Sequence, residues 1–297
     1  MFGECHAHLL MDGVNYKKAV QLHREGVCEA DVRRKLEQYA ERGITYIRDG
    51  GDTHGVSLKA KELAPEYGIT YRTCAFAIHK KGHYGGIVGY AFEDWKEYRD
   101  LVREAKRQGA DFIKVMFSGI LDFANCGELS EPPLDAEEIR QMTEIAKEEG
   151  CAVMAHVNGA QAVKAAVASG VDSVEHGNFM DEEALQILAE SDTVWVPTYV
   201  TLANLIGGGR FDDAAVGTLV QEQGERIRRG FELGASIALG SDGGAWRVLH
   251  GEGLVREYEL MKQLMTGEQM ENDSFVLSEK ELDMRLQQAE EKIRKKF

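Results

Sequence analysis

Nowhere in the 297 residues is there a run of about 18 apolar residues, so no membrane-spanning helix is expected. The first residues lack a basic segment followed by an apolar core, and no signal peptide is expected either. Positive charge is in deficit. With 35 Lys and Arg against 50 Asp and Glu, the formal net charge is -15. A surface that grips the nucleic-acid backbone needs clustered Lys and Arg, so nucleic acid is not an expected partner. The five cysteines, Cys5, Cys28, Cys74, Cys126 and Cys151, are odd in number and show no Cys-x-x-Cys spacing. That pattern suits reduced thiols in a reducing compartment, with the cytoplasm as default. Low-complexity segments are also missing, as is any internal repeat beyond a strand-then-helix unit.

What is present is enough apolar material, 43% of the residues, to bury a sizeable core. The opening stretch Phe2-Gly3-Glu4-Cys5-His6-Ala7-His8 reads as a short buried strand ending in His-x-His. Side chains alternate faces along a strand, so His6 and His8 share one face and can share one metal ion. Helical spacing follows over 16–25 and 29–42, then a β-rich run from Ile44 to Asp49 and a helix over 55–67. The same alternation continues with strands Ile69–Ile78, Asp111–Phe117, Cys151–His156, Ser173–His176, Thr193–Thr198 and Ala235–Gly240. Helices are expected between and after them near 93–108, 135–149, 159–169 and 181–190, within 212–232, and at 252–265. Eight such units argue for a parallel sheet and fill the usual size of a (β/α)8 TIM barrel, about 250 residues. The expected organisation is therefore a barrel over residues 1–266. Beyond it, residues 267–297 read as a polar linker, Gly267 to Asp273, and a charged C-terminal helix near 278–296 that packs on the exterior or contacts a second subunit.

Polar residues then stand out against these apolar runs. Lys114 sits on the fourth strand, His156 and His176 end the fifth and sixth, and Asp242 follows the eighth by two residues. Together with His6 and His8 they all lie toward strand C-terminal ends, where barrel active sites form. His83, in the Gly-rich loop after strand three, is a candidate donor to the scissile group or to a substrate carboxylate. Tyr199, just past strand seven, is a candidate oxyanion donor. Arg210 and Trp246 fall in loops expected to rim the pocket, and Arg210, Lys80 and Lys81 hint at an acidic substrate.

The phrases "FIKVMFSG" around Lys114, "VMAHVNG" around His156, "VEHGNFM" around His176 and "ALGSDGG" around Asp242, with His-x-His at the start, resemble the metal-dependent amidohydrolase superfamily. Within it the chain is most similar to the imidazolonepropionase-like and prolidase-like branch. The resemblance implies that His6, His8 and Asp242 bind one divalent ion, that His156 and His176 bind a second, and that Lys114, carboxylated by carbon dioxide, bridges both. Zinc is the ion it implies first. The implied activity is hydrolysis of a C–N bond in a dipeptide-like, N-acyl or cyclic amide through a hydroxide bridging the ions, with Asp242 as the base. A lactonase, an organophosphate esterase on the same centre, and a non-catalytic metal-binding barrel stand as alternatives. A small molecule is the expected partner, with self-association into a homo-oligomer allowed. Most of that branch carries a small β-sandwich flanking the barrel, and this sequence is expected to lack it.

Overall fold

The computed structural model describes residues 2–125, 127–266 and 275–297, so the linker expected at Gly267–Asp273 and the thiol of Cys126 lie outside the described residues. Eleven strands and eleven α-helices are formed along these residues. The strands are β1 (Glu4–Ala7), β2 (Tyr46–Asp49), β3 (Thr70–Thr73), β4 (Ala77–Lys80), β5 (Gly89–Phe92), β6 (Ile113–Met116), β7 (Leu121–Asp122), β8 (Glu128–Leu129), β9 (Val153–Val157), β10 (Ser173–His176) and β11 (Val194–Val196). The helices are α1 (Tyr16–Leu22), α2 (Glu29–Ala40), α3 (Val56–Leu63), α4 (Trp95–Arg107), α5 (Ala136–Glu148), α6 (Ala160–Ala168), α7 (Glu182–Ala189), α8 (Val200–Ala203), α9 (Asp213–Leu233), α10 (Glu252–Thr266) and α11 (Glu279–Lys296).

Two parallel sheets result, one in the order β1-β2-β3 and one in the order β11-β10-β9-β6-β4-β5, with β7 and β8 forming a small antiparallel hairpin. Parallel strands need helical crossovers, which the alternating amphipathic segments supply. In α4, for instance, Asp94 caps the first turn and Tyr98, Val102 and Ala105 recur at helical spacing on the buried face. Backbone hydrogen bonds continue past the sheet edges. Asp111 N donates to Thr73 O at 2.8 Å, Cys5 N to Leu239 O at 3.1 Å and Trp195 N to Ser236 O at 2.8 Å.

Two of the expected strands are altered in the structure, which also adds β5, β7 and β8. The single strand over Ile69–Ile78 is broken into β3 and β4, which belong to different sheets. Ala75, at φ 64°, turns the chain between them, and its carbonyl accepts from Asp52 N. The expected strand Ala235–Gly240 makes only isolated parallel bridges, Trp195 to Ile237 and, just beyond it, Ala7 to Gly243.

The interior is layered. Phe112, Met154, Val194 and Val196 form an apolar layer, and two residues further along the same strands come Lys114 and His156. Two residues is one strand repeat, so the polar groups share the inward face one layer nearer the C-terminal ends. Beneath this layer lies α11. It opens on a capping box, Ser278 with Glu281, and buries Leu282, Leu286, Ala289 and Ile293. Glu290 accepts from Gly3 N at 2.8 Å, and the Phe297 ring meets Phe112 edge-on at 5.1 Å. One face of this helix is thus buried against the strands.

Candidate metal centre

The geometry starts from β1. A register irregularity against β2 between Glu4 and Ala7 re-aims the strand, a device common beside active sites. His6 and His8 are both buried, with their Nε2 atoms 3.6 Å and 3.8 Å from Asp242 Oδ1. Close approach of the chain at Gly50 makes room for the second ring, because a Cβ there would lie 2.3 Å from His8 Cε1. Each ring is oriented through its other nitrogen. His6 Nδ1 lies 2.7 Å from Glu175 Oε2, and His8 Nδ1 lies 3.3 Å from Gly51 O. Such outer partners select the tautomer that leaves Nε2 free as a ligand.

Three further candidates converge on the same place. Lys114 Nζ is 3.4 Å from His6 Nε2. The ring centroid of His176 lies 5.0 Å from that of His6 and 4.6 Å from that of His156. His176 Nδ1 is held at 2.7 Å by Thr198 Oγ1, whereas His156 Nε2 sits 3.2 Å from Gly119 O. Among the described residues, only His6, His8 and Asp242 bring ligand atoms all within 4.8 Å of one another.

Burial sets the electrostatics. Removal from water holds all four histidines neutral, His8 and His156 being lowered to about 3, and the nearby Lys114 charge adds to the effect. The same desolvation lowers Lys114, favouring its neutral amine. It raises Asp242 to about 6 despite the opposing pull of Lys114. Asp242 Oδ1 is buried and has no hydrogen-bond partner. An orphaned carboxylate oxygen facing two neutral imidazole nitrogens is the donor set a divalent cation needs, so these residues fit a metal ion. His176, at φ 67°, and Asp242, at φ 55°, both occupy the left-handed region, which is sparsely populated for such residues and clusters at functional sites.

All six candidates line one cavity of about 1020 Å³, together with Tyr84, Asn158, Arg210 and Trp246. Two other expectations are corrected. Tyr199 is turned away, its hydroxyl donating to Val220 O at 2.9 Å on α9. His83 lies outside the lining, with Nδ1 3.4 Å from Glu131, and its neighbour Tyr84 takes the place instead, its ring 5.1 Å from that of His156. Sequence reasoning also passed over Arg48 and Glu175. Arg48 donates to Glu175 Oε1, to Ser173 Oγ and to Cys5 O at 2.7–2.8 Å, deep beneath His6. A charged residue in the middle of each apolar run was the available signal.

The family model described as "Amidohydrolase family" matches residues 2–289. The chain is similar to the ochratoxinase of Aspergillus niger, with 28% identity over 209 residues, 67% of this chain and 41% of that protein. It therefore spans less than half the length of that curated relative. Among solved structures it resembles a Xaa-Pro dipeptidase with methionine bound in the active site, at a TM-score of 0.70 and 23% identity over 89% of this chain and 70% of that one. The A. niger ochratoxinase structure gives a TM-score of 0.71 at 22% identity, covering 89% of this chain and 67% of that one. These structural likenesses speak to the fold.

Proposed function

Because the chain belongs to the amidohydrolase family, we propose that it hydrolyses the C–N bond of an amide-bearing small molecule at the centre built from His6, His8 and Asp242. The observation that carries this reading is the buried, unpartnered Asp242 Oδ1 beside two neutral histidines. We further propose that residues 1–266 close a (β/α)8 barrel. The hydrogen bonds linking the segment near Ile237 to β11 and to β1 support that closure.

His6, His8 and Asp242 would hold one ion, with His156 and His176 offered to a second, and zinc suits imidazole and carboxylate donors. Bound there, the ions would supply Lewis-acid polarisation of the amide carbonyl and lower the pKa of water. Lys114, whose charged form burial disfavours, can in its neutral form add its amine nitrogen to the carbon of carbon dioxide and release a proton, becoming an anionic oxygen donor. Asp242 takes a proton from the attacking water as the oxygen bonds to the carbonyl carbon, then passes it to the nitrogen as the C–N bond breaks. The products are a carboxylic acid and an amine.

The test pairs elemental analysis with turnover. Protein grown with supplemented zinc is expected to hold one to two ions per chain, and a chelator is expected to abolish hydrolysis of a panel of dipeptides, N-acyl amino acids and lactones. Turnover and thermal stability both indifferent to the chelator would sink the metal-centred reading.

Acid should weaken the site through Asp242. Its carboxyl is raised from the ordinary value of 3.8 to about 6, so below that pH the metal-free protein carries a proton that a cation must displace. Zinc affinity is expected to be flat from pH 7 to 8 on this account. It should fall about tenfold per unit below pH 6, as read by competition with a chromophoric chelator. The histidines, held neutral far lower, contribute nothing in that window.

A further inference from the structure

The cavity is apolar on most of its wall and carries a cation at its open end. Ile87, Met116, Leu121, Phe123, Leu202 and Leu205 line it together with the buried histidines and the exposed Arg210. The Arg210 guanidinium lies 5.1 Å from the centroid of Phe211 and 5.2 Å from that of Trp246, while Phe211 in turn packs on Phe123 at 4.4 Å. Two aromatic faces hold the cation in place without neutralising it. Among the described residues only Arg210 and Arg247, of all the arginines, make no side-chain hydrogen bond or ion pair, and Arg247 does not line the cavity. Asp212 and Asp122 also line the cavity, yet neither forms an ion pair with Arg210. Asp212 caps α9 through Ala215 N at 2.9 Å, and Asp122 accepts from Ala124 N at 2.8 Å and from the Asn125 side chain at 3.0 Å.

We propose that Arg210 is a specificity-determining residue that receives a carboxylate of the substrate. The preferred amide is then anionic, with a bulky apolar body lying along the cavity wall and its carboxylate at the mouth. This deepens the hydrolase reading and rests on it for the location of the scissile bond. An unpaired guanidinium fixed in orientation pairs with a carboxylate through two parallel N–H donors, which a lysine cannot reproduce. The feature matters more in a chain of net charge -15, whose field otherwise opposes an anionic substrate.

The experiment compares 4′-(acetamidomethyl)biphenyl-4-carboxylic acid, whose carboxylate lies across an apolar body from its amide, with its uncharged carboxamide and with a cationic dimethylaminoethyl amide of the same body. Binding to the purified protein is followed by calorimetry, and turnover is measured alongside on the zinc-loaded protein. The acid is expected to bind at least tenfold more tightly than the carboxamide. Arg210→Met should erase the difference, and Arg210→Lys should restore only part of it, with thermal melts checking that both variants are folded. Equal binding of acid and carboxamide by the parent protein, tighter binding of the cationic amide, or discrimination that survives Arg210→Met would each overturn the assignment. Discrimination in binding without turnover of any panel member would uphold the role of Arg210 while removing the hydrolase reading, so the two fail separately.

Discussion

Asp242→Asn is expected to lower kcat/KM by about three orders of magnitude, within the range that general-base groups contribute. The substitution keeps shape and removes charge. Asn tolerates the left-handed backbone that Asp242 occupies at φ 55°, so no new strain is introduced. What is lost is the anionic oxygen lying 3.6 Å and 3.8 Å from the imidazoles of His6 and His8, and with it both a ligand and the proton acceptor. Hydrolysis of the best amide in the panel, measured with metal content determined on the same sample, checks this. A rate within tenfold of the parent at full metal occupancy would take Asp242 out of the chemistry.

Arg48→Met should cost roughly 3–5 kcal/mol of folding stability, the range for removing one partner of a buried ion pair. Arg48 and Glu175 are both fully buried, joined at 2.8 Å, so the substitution strands the carboxylate without its counter-charge. For a chain of this size that loss corresponds to a melting point roughly 5–8 °C lower. Adding Glu175→Gln to the first substitution should recover part of it, because the stranded charge is then gone. Denaturant titration of the two single variants and the double variant gives the coupling directly. A loss below about 1 kcal/mol for Arg48→Met would show that the charge of Glu175 is compensated elsewhere.

Much of this site is legible in the residue order because strand geometry is simple. His6 and His8 alternate with Ala7, and Lys114 and His156 each follow an inward apolar residue by two, so a period of two places them on one face. Glu175 and His176 defeat the same rule. Neighbours on a regular strand point apart, yet both reach His6, and the positive φ of His176 reconciles them. Residue order carries no signal for that turn. Tyr199 is placed at the mouth by residue order for a related reason, whereas the chain enters α8 at once and the phenol is carried toward α9. The break at Ala75 is likewise hidden in an unbroken β-rich run. Periodicity predicts faces well; it does not predict where a backbone leaves its strand.

The seating of α11 against β1 bears on how the chain is made. Gly3 and Glu290 are separated by 287 residues, so the amide and the carboxylate that end up paired are synthesised far apart in time. At about 5–20 residues per second, β1 waits roughly 15–60 s on the ribosome before that partner emerges. During that interval Cys5 lacks the apolar cover that Ile293 and Phe297 later supply. Slow, long-range closure of this kind favours holding by chaperones over folding from the N-terminus. Yield of soluble protein should then respond to translation rate and growth temperature more than to changes at the catalytic end.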